Sequence, residues 1–296
     1  MARAPSFARV RGRGPLPLRG GVAVVTGAAS GIGAALAGVL AGRGCNLALA
    51  DVNAAALKGV AARARGRGVG VREHRLDVAD AEAVAAFPEA VLAEHGRVSV
   101  LVNNAGVALG GRFDQVPLAD FEWLFSINFW GTVRLTHALL PALRREAAAA
   151  QIVNLSSVFG IVAPPGQVAY AASKFAVRGF SEALRHELEA EGSPIGITVV
   201  HPGGVRTAIA ASARRTGMTN AESEAQAKYW ETVLRLSPDA AAERIARGIE
   251  RREKRVLVGR DARQIAFVQR LFPVGYWPVL MRLRGGWPRR RGAARG

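Results

Sequence analysis

Tyr170 and Lys174 are four residues apart in a segment that favours a helix, so their side chains should share one helix face. A free phenol has a pKa of about 10 and is a poor base at neutral pH. A cation one turn away favours the phenolate and brings that pKa toward the working range of an acid–base catalyst. Ordinary amphipathic helices also contain this spacing by chance, so the pair needs support from the rest of the chain.

Ser157 is a third candidate, thirteen residues before Tyr170. It follows residues 152–155, an apolar run that predicts a buried strand. A hydroxyl at the end of this strand could hydrogen-bond a substrate oxygen while the tyrosine transfers its proton.

A glycine-rich turn follows the first predicted strand, residues 21–26, and precedes a helical pattern. Gly27, Gly31 and Gly33 permit a tight turn and a close approach of the backbone to a pyrophosphate. The helix that begins there supplies unpaired N–H groups and a favourable dipole. This order of strand, glycines and helix predicts a dinucleotide site.

Asp51 ends the second predicted strand, residues 46–50. A carboxylate at this position can accept hydrogen bonds from both ribose hydroxyls of an adenosine, and it repels a 2′-phosphate. A helix N-cap or a turn is the alternative role for this residue.

Strands and helices alternate along the chain. Further strands are predicted at residues 70–76, 98–102, 151–155, 195–200 and 255–259. Helices are predicted at residues 54–65, 81–95 (which Pro88 should bend or split), 117–146 and 239–251, and around Tyr170. The alternation predicts an α/β fold: a single-domain, Rossmann-type, doubly wound parallel sheet of about seven strands with helices on both faces. Residues 208–236, which are polar and rich in alanine, are where a substrate lid is expected.

The net charge of +17 is concentrated at the two ends of the chain. Residues 1–19 carry five arginines and residues 282–296 carry six, with no acidic residue in either segment. This distribution argues against a specific nucleic-acid partner. We expect a disordered basic extension at 1–19, a dinucleotide-binding and catalytic domain at 20–260, and an apolar, then arginine-rich, tail at 261–296.

Cys45 is the only cysteine, which excludes an internal disulfide, and no metal site is predicted. No run of eighteen apolar residues and no secretory signal occur, so we expect a cytoplasmic protein.

With these residues in view, the chain resembles the short-chain dehydrogenase/reductase family from about residue 20 to residue 259. The phosphate-binding signature T-G-x-x-x-G-x-G of that family is matched at Thr26, Gly27, Gly31 and Gly33, and its N-N-A-G motif at residues 103–106. The aspartate that contacts the adenine corresponds to Asp77, beside Val78, and the P-G segment and its threonine to Pro202, Gly203 and Thr207. The catalytic tetrad falls on Asn128, Ser157, Tyr170 and Lys174.

The resemblance implies a hydride transfer between a nicotinamide cofactor and an alcohol, ketone or aldehyde. Ser157 would hold the substrate oxygen and Tyr170 would transfer its proton. Lys174 would lower the tyrosine pKa and contact the nicotinamide ribose, and Asn128 would hold a water in a proton relay. The implied cofactor contacts are Thr26, Gly27, Ser30, Gly31, Ile32, Gly33, Asp51, Asp77, Val78, Asn104, Ala105, Gly106, Tyr170, Lys174, Pro202, Gly203, Val205 and Thr207.

The predicted cofactor is NAD(H) rather than NADP(H). Asp51 repels a 2′-phosphate, and Ser30 and Val52 stand where relatives that prefer the phosphate often carry a basic residue. Arg43, the last basic residue before Asp51 in sequence, could soften this preference.

Three other classes of protein are less consistent with these residues. A sugar-nucleotide epimerase or dehydratase would bring a larger C-terminal domain. A non-catalytic dinucleotide sensor would be expected to lack one of Ser157, Tyr170 or Lys174. A nucleic-acid-binding protein rests on charge alone. By resemblance, pairing through the helices of Asn128 and Tyr170 would give a homodimer or homotetramer.

The tail after Gly259 contains short apolar segments with aromatic residues, interrupted by Pro273 and Pro278 and followed by arginines. Such a segment suits peripheral contact with an anionic bilayer. The alternative is that it closes the substrate pocket or packs on a partner subunit. Both interpretations favour an apolar substrate, such as a long-chain, steroid-like or retinoid-like alcohol or ketone, over a sugar.

Overall fold

The computed structural model describes residues 14–146, 149–209 and 211–283. Its strands are β1 Val22–Thr26, β2 Asn46–Asp51, β3 Val71–Arg75, β4 Val100–Asn103, β5 Ala150–Leu155, β6 Ile195–Pro202 and β7 Arg255–Val258. They form one parallel sheet in the order β3-β2-β1-β4-β5-β6-β7. The order reverses between β1 and β4, which is where a doubly wound sheet opens a crevice for a ligand.

Helices connect the strands and cover the sheet. They are α1 Gly31–Gly42, α2 Ala54–Arg65, α3 Ala81–His95, α4 Leu118–Phe125, α5 Gly131–Arg144, α6 Val168–Ala190, α7 Asn220–Val233, α8 Pro238–Glu250, α9 Arg260–Leu271 and α10 Tyr276–Leu283.

The core lies on both faces of the sheet. Successive residues of a strand point to opposite faces, so Val25 packs in one apolar cluster with α1, α2 and α8, and Val24 packs in the other with α3, α5 and α6. All five residues of β1 are buried, as expected for a parallel strand with helices on both sides. The predicted fold class is therefore confirmed.

Two predicted helices differ in detail. Pro88 does not split α3, because Val84, Phe87 and Val91 anchor the helix in the core on both sides of the proline. The long helix predicted at residues 117–146 consists of α4, a single π-helical turn at Ser126–Trp130, and α5.

Residues just before the predicted domain boundary at residue 20 also have packing contacts. Residues 1–13 and 284–296 lie outside the described residues, but residues 14–19 pack on the domain. Leu16 and Leu18 are buried, and the Leu16 N–H donates to the Glu250 carbonyl at 2.8 Å. Packing therefore begins before the predicted boundary at residue 20.

The tail folds back as well. Residues 260–283 form α9 and α10, which are separated at Pro273. Pro278 lies in the first turn of α10, where its missing N–H needs no partner. The tail is therefore not one continuous helix, and Pro278 is accommodated in the first turn of the second.

Candidate active site and cofactor cleft

The turn between β1 and α1 owes its shape to its glycines. Gly27 and Gly31 have φ angles of +62° and +54°, a backbone conformation that favours glycine. A Cβ at Gly33 would lie 2.2 Å from the Gly27 carbonyl oxygen, so glycine there lets the turn close against α1. The backbone at the start of α1 can therefore approach a ligand phosphate closely.

The Asn104 side chain holds this turn against the end of β4. Its Nδ2 donates to the carbonyl oxygens of Thr26 at 2.9 Å and Gly27 at 3.0 Å. The Thr26 hydroxyl in turn accepts from the Asn104 and Ala105 N–H groups, both at 3.1 Å. These bonds join the glycine-rich turn to the N-N-A-G motif across two neighbouring strands.

Asp51 ends β2 at the edge of the cleft, and both oxygens of its carboxylate accept backbone hydrogen bonds. Oδ2 accepts from Ala29 at 2.9 Å, and Oδ1 accepts from Asn53 at 2.9 Å. The turn role considered for Asp51 is thus present, and the residue also lines the cleft.

Asp77 and Val78 follow β3 and also line the cleft. Asp77 is exposed and its Oδ1 accepts from the Ala79 N–H at 2.9 Å. Val78 is buried against Gly131, where a Cβ would lie 2.8 Å from its Cγ2.

Tyr170, Lys174 and Ser157 meet at the carboxyl end of β5. Tyr170 and Lys174 lie one turn apart on α6, and Ser157 caps the 3-10 turn Val158–Gly160. Ser157 and Tyr170 both line the cleft, and the Ser157 hydroxyl favours the Tyr170 phenolate. Lys174 Nζ lies 5.7 Å from the centre of the Tyr170 ring and donates to the Leu155 carbonyl at 3.0 Å. The structure therefore brings together the three side chains singled out first in the sequence.

Burial decides the charge of these groups. It raises the pKa of Tyr170 to about 12, against the smaller opposite effect of the Ser157 hydrogen bond. The net shift of this pKa is therefore upward, because desolvation of the phenolate outweighs the groups that favour its charged form. Burial also lowers the pKa of Lys174 to about 8, so the ammonium is still charged at neutral pH.

Asn128 lies in the π-helical turn, behind the cleft. Its Oδ1 accepts from the Val107 N–H at 2.8 Å, and its Nδ2 donates to the Val107 carbonyl at 3.0 Å and to the Ser173 hydroxyl at 3.2 Å. A Cβ at Gly106 would lie 3.1 Å from Asn128 Oδ1 and 3.4 Å from Lys174 Nζ. Asn128 therefore lies next to Lys174 but outside the lining of the cleft.

Of the residues predicted for catalysis and cofactor binding, Thr26, Gly33 and Asn128 do not line the cleft, and the others do. Thr26 and Gly33 shape the glycine-rich turn from behind. These three residues position other groups.

Sequence reasoning missed His201, at the end of β6. The ring is fully buried, and its Nδ1 lies 2.8 Å from the Ser157 carbonyl oxygen. Because a carbonyl only accepts, Nδ1 carries the proton in this contact. Burial lowers the pKa of His201 to about 4, so the ring is neutral at neutral pH. The only signal in the sequence was its place directly before Pro202 and Gly203.

Asp261, in the first turn of α9, was missed too. Its Oδ2 accepts from the Gly204 N–H at 2.7 Å. A Cβ at Gly203 would lie 2.2 Å from the same oxygen, so the contact requires glycine there. No local sequence pattern predicts this contact, because Asp261 and Gly204 are 57 residues apart in sequence.

The cleft at the carboxyl edge of the sheet has a volume of about 1380 Å³. One end is formed by the glycine-rich turn, Asp51 and the segment after β3. The walls of the other end come from α7, α10, the loop after β4 and the 3-10 turn Val158–Gly160. They include Leu109, Phe159, Trp230, Leu280 and Met281. The predicted lid and part of the predicted tail therefore both form walls of the cleft.

A dinucleotide fits the first end. The glycine-rich turn leaves the backbone at the start of α1 accessible, and Asp51 places a carboxylate at the edge of the cleft. The charged Lys174 ammonium lines the same cleft. Among the described residues, no group of three or more His, Cys, Asp or Glu side chains is placed to hold a metal ion.

This fold and this cleft define a class: enzymes that bind a nicotinamide dinucleotide on a doubly wound sheet. The family model for short chain dehydrogenase matches residues 21–217. The chain belongs to this family of oxidoreductases.

The similarity to known proteins extends over most of the chain. SadH of Mycobacterium tuberculosis, named as an oxidoreductase, is 42% identical over 258 residues, which are 87% of this chain and 92% of SadH. A short-chain dehydrogenase/reductase from Burkholderia phymatum, solved in complex with NAD, superposes with a TM-score of 0.81 at 30% identity over 86% of this chain and 95% of its own. An alcohol dehydrogenase from Thermococcus sibiricus, solved with 5-hydroxy-NADP, gives a TM-score of 0.68 at 28% identity over 80% and 95% of the two chains.

Proposed function

We propose that this protein interconverts an alcohol and a ketone or aldehyde on a lipophilic substrate, with NAD(H) as its cofactor. The observation that carries the proposal is that Ser157, Tyr170 and Lys174 all line one cleft, with the Lys174 ammonium 5.7 Å from the centre of the tyrosine ring. A phenol, a second hydroxyl and a buried cation are the groups that proton transfer to a substrate oxygen needs.

The cofactor would be held along the carboxyl edge of the sheet. Its pyrophosphate would lie on the glycine-rich turn of Thr26, Gly27, Ser30, Gly31, Ile32 and Gly33. Its adenosine would contact Asp51, Asp77 and Val78. The nicotinamide end would contact Asn104, Ala105, Gly106, Tyr170, Lys174, Pro202, Gly203, Val205 and Thr207. When bound, this cofactor supplies or accepts the hydride.

The residues of the chain handle the substrate oxygen and its proton. In reduction, the Ser157 hydroxyl bonds the carbonyl oxygen and Tyr170 donates its proton to it. The carbonyl carbon gains the hydride and its oxygen gains that proton, which yields the alcohol. Burial favours the neutral phenol, which is the proton-donating form, and the Lys174 charge stabilises the phenolate left behind. In oxidation each of these transfers runs in reverse.

Asn128 would hold the water that returns a proton to this site. Its Oδ1 and Lys174 Nζ both approach Gly106, so a relay from the lysine would run toward the π-helical turn. His201 would position Ser157, because it fixes the backbone carbonyl of the same residue.

Preference for NAD(H) is supported by the cleft edge. Val52 beside Asp51 is more than half exposed, at 59%, and offers no charge. Arg43, the last basic residue before Asp51 in sequence, lies at the other end of α1, about 18 Å from the turn at 1.5 Å of rise per residue. It is paired there with Glu243 and Glu250. Arg75, the register partner of Asp51 on β3, is outside the cleft lining.

The substrate class follows from the second end of the cleft. Phe159 packs against both Tyr170 and Trp230, with ring centres 6.1 Å and 6.0 Å apart. Leu280 and Met281 of α10 face the same space. Such walls favour apolar surface on the substrate and offer a sugar few hydrogen-bond partners.

We also propose that the chain pairs through the helices of Asn128 and Tyr170, as a dimer or tetramer. Trp130, Val168 and Phe175 on these elements are exposed by 48%, 45% and 39%. Burying such large apolar side chains is what an obligate subunit interface does.

The test is a screen of long-chain and short polar alcohols and ketones with either cofactor, following the absorbance of the reduced nicotinamide. Tyr170→Phe should retain the fold and lose at least about a hundredfold of turnover. Tyr229→Phe is the matched control, because Tyr229 lines the same cleft. Near-normal turnover by Tyr170→Phe would refute proton transfer by this residue, and better turnover of a sugar by the intact enzyme would refute the lipophilic substrate.

A further inference from the structure

The helices α9 and α10 are fixed to the domain by one face. Ile265 and Val268 of α9 and Leu280 of α10 are buried with Val158 and Ile161 in one apolar cluster. The Tyr276 hydroxyl accepts from the Ala163 N–H at 3.1 Å. The same helix pair supplies walls to the substrate end of the cleft. The pair therefore forms a stable rim of the cleft.

The opposite face of this pair is apolar and exposed. Phe267 and Leu271, one turn apart on α9, are exposed by 62% and 56%. Phe272, Val274 and Leu283 are exposed by 47%, 93% and 71%. We call these five residues the outer patch. Of the exposed large hydrophobic side chains in the described part of the chain, nearly half belong to this short segment.

The charge around the outer patch has a single sign. Residues 262–283 contain three arginines and no aspartate, glutamate or lysine. Arg263, Arg270 and Arg282 are exposed on the same two helices as the patch. An apolar face with arginines around it and no acidic residue is complementary to a surface that is apolar inside and anionic outside.

We propose that the outer patch and its arginines dock the protein on an anionic lipid bilayer. The proposal rests on the proposed function in one respect: it explains how a lipophilic substrate reaches a cleft whose rim is the docked helix pair. The proposed contact is with the bilayer surface. Among the residues that the structure describes, no helix has the length and hydropathy of a membrane span.

A second copy of the chain is a poorer occupant of this surface. In a two-fold symmetric contact, the same patch meets itself. The arginines would then face arginines without an acidic partner after Asp261. Anionic headgroups supply the charge that a second copy lacks.

The test uses the full chain and vesicles of phosphatidylcholine, alone or with about one-third phosphatidylserine. The protein should co-sediment at least about tenfold more with the anionic vesicles, and less so at high salt. Phe267→Ser/Leu271→Ser and Arg263→Glu/Arg270→Glu should each lose about tenfold or more of this binding. Thermal unfolding and turnover of a short, water-soluble alcohol should be unchanged in both variants.

Matched controls change equally exposed side chains elsewhere. Phe113→Ser/Leu118→Ser removes two apolar residues that are each 71% exposed, and Arg63→Glu/Arg67→Glu reverses two exposed charges near the end of α2. Both controls should bind vesicles like the unaltered protein.

Several results would overturn the proposal. They are equal binding to both kinds of vesicle, unchanged binding by the patch variants, and loss of self-association by Phe267→Ser/Leu271→Ser in sedimentation velocity without lipid. The last result would make the patch a subunit interface. Binding is measured without turnover, so a protein that binds anionic vesicles but oxidises no alcohol would refute the proposed function alone.

Discussion

Replacing Lys174 by an uncharged residue of similar length should stabilise the protein and abolish its turnover. Its side chain is 4% exposed, and its ammonium donates to the Leu155 carbonyl at 3.0 Å. Lys174→Met keeps the length of the side chain and removes the charge. We expect it to raise the free energy of unfolding at pH 7 and to abolish turnover.

The magnitude follows from the pKa of this lysine, which burial lowers from 10.5 to about 8. At roughly 1.4 kcal/mol per pKa unit, keeping the buried ammonium charged costs about 3 kcal/mol. Loss of the hydrogen bond to Leu155 in the methionine variant offsets about 1 kcal/mol of this gain in stability. The methionine variant should therefore be more stable at pH 7 by about 2 kcal/mol.

The sign can be checked by pH. Between pH 8 and pH 10.5 the unfolded chain keeps the Lys174 proton and the native protein has released it. The unfolded state then binds more protons, so the stability of the unaltered protein rises with pH through this window. The methionine variant lacks this rise, and its advantage should shrink above about pH 8.

The measurement is urea unfolding at several pH values, beside turnover and NADH titration. Lys58→Met on α2 is the control, because Lys58 is exposed and its replacement should change stability by less than about 0.5 kcal/mol. Turnover of Lys174→Met should fall at least about a hundredfold, and NADH should bind more weakly. A methionine variant less stable than the unaltered protein at pH 7 would refute the burial argument, and retained turnover would refute the catalytic role.

Three further changes test the cofactor end of the cleft and its support. Gly33→Ala places a Cβ 2.2 Å from a backbone carbonyl oxygen, so NADH affinity should fall by about tenfold or more. Gly38→Ala, on the same helix but with open space around it, is the control and should leave the affinity unchanged. Equal NADH affinities of the two variants would contradict this prediction. Asp51→Asn should shift the affinity ratio toward NADPH by about tenfold, because it removes the charge that repels a 2′-phosphate, and an unchanged ratio would count against the NAD(H) preference. His201→Leu should lower kcat about tenfold with little change in cofactor KM, because the Ser157 carbonyl loses its hydrogen-bond donor. His201→Asn, which keeps a donor, should restore kcat. If kcat stays low in the asparagine variant, a positioning role for His201 is contradicted.

The inner strands of the sheet could be predicted because they are buried on both faces. Residues 21–26, 46–50 and 195–200 are continuous apolar runs of strand length, and all three are strands in the structure. The helix around Pro88 shows the limit of local rules. A proline costs one backbone hydrogen bond, and three buried side chains on its helix outweigh that cost.

The site was predictable where the chemistry fixes residue type and spacing within one element. Gly27 and Gly31 need left-handed backbone, and Tyr170 and Lys174 need one helix turn between them. The contacts of His201 with Ser157 and of Asp261 with Gly204 join elements distant in sequence. No periodicity encodes such contacts, because they depend on the order of the strands in the sheet.

The contact between Asp261 and Gly204 joins the two ends of the cleft. Gly204 belongs to the segment after β6 that is proposed to hold the nicotinamide, and Asp261 begins the helix pair that borders the substrate end. Since Gly203 leaves no room for a Cβ beside this carboxylate, the two segments cannot shift independently. A movement of α9 at a bilayer surface would therefore act directly on the backbone beside the cofactor. Asp261, in the first turn of α9, therefore supports the cofactor side of the cleft.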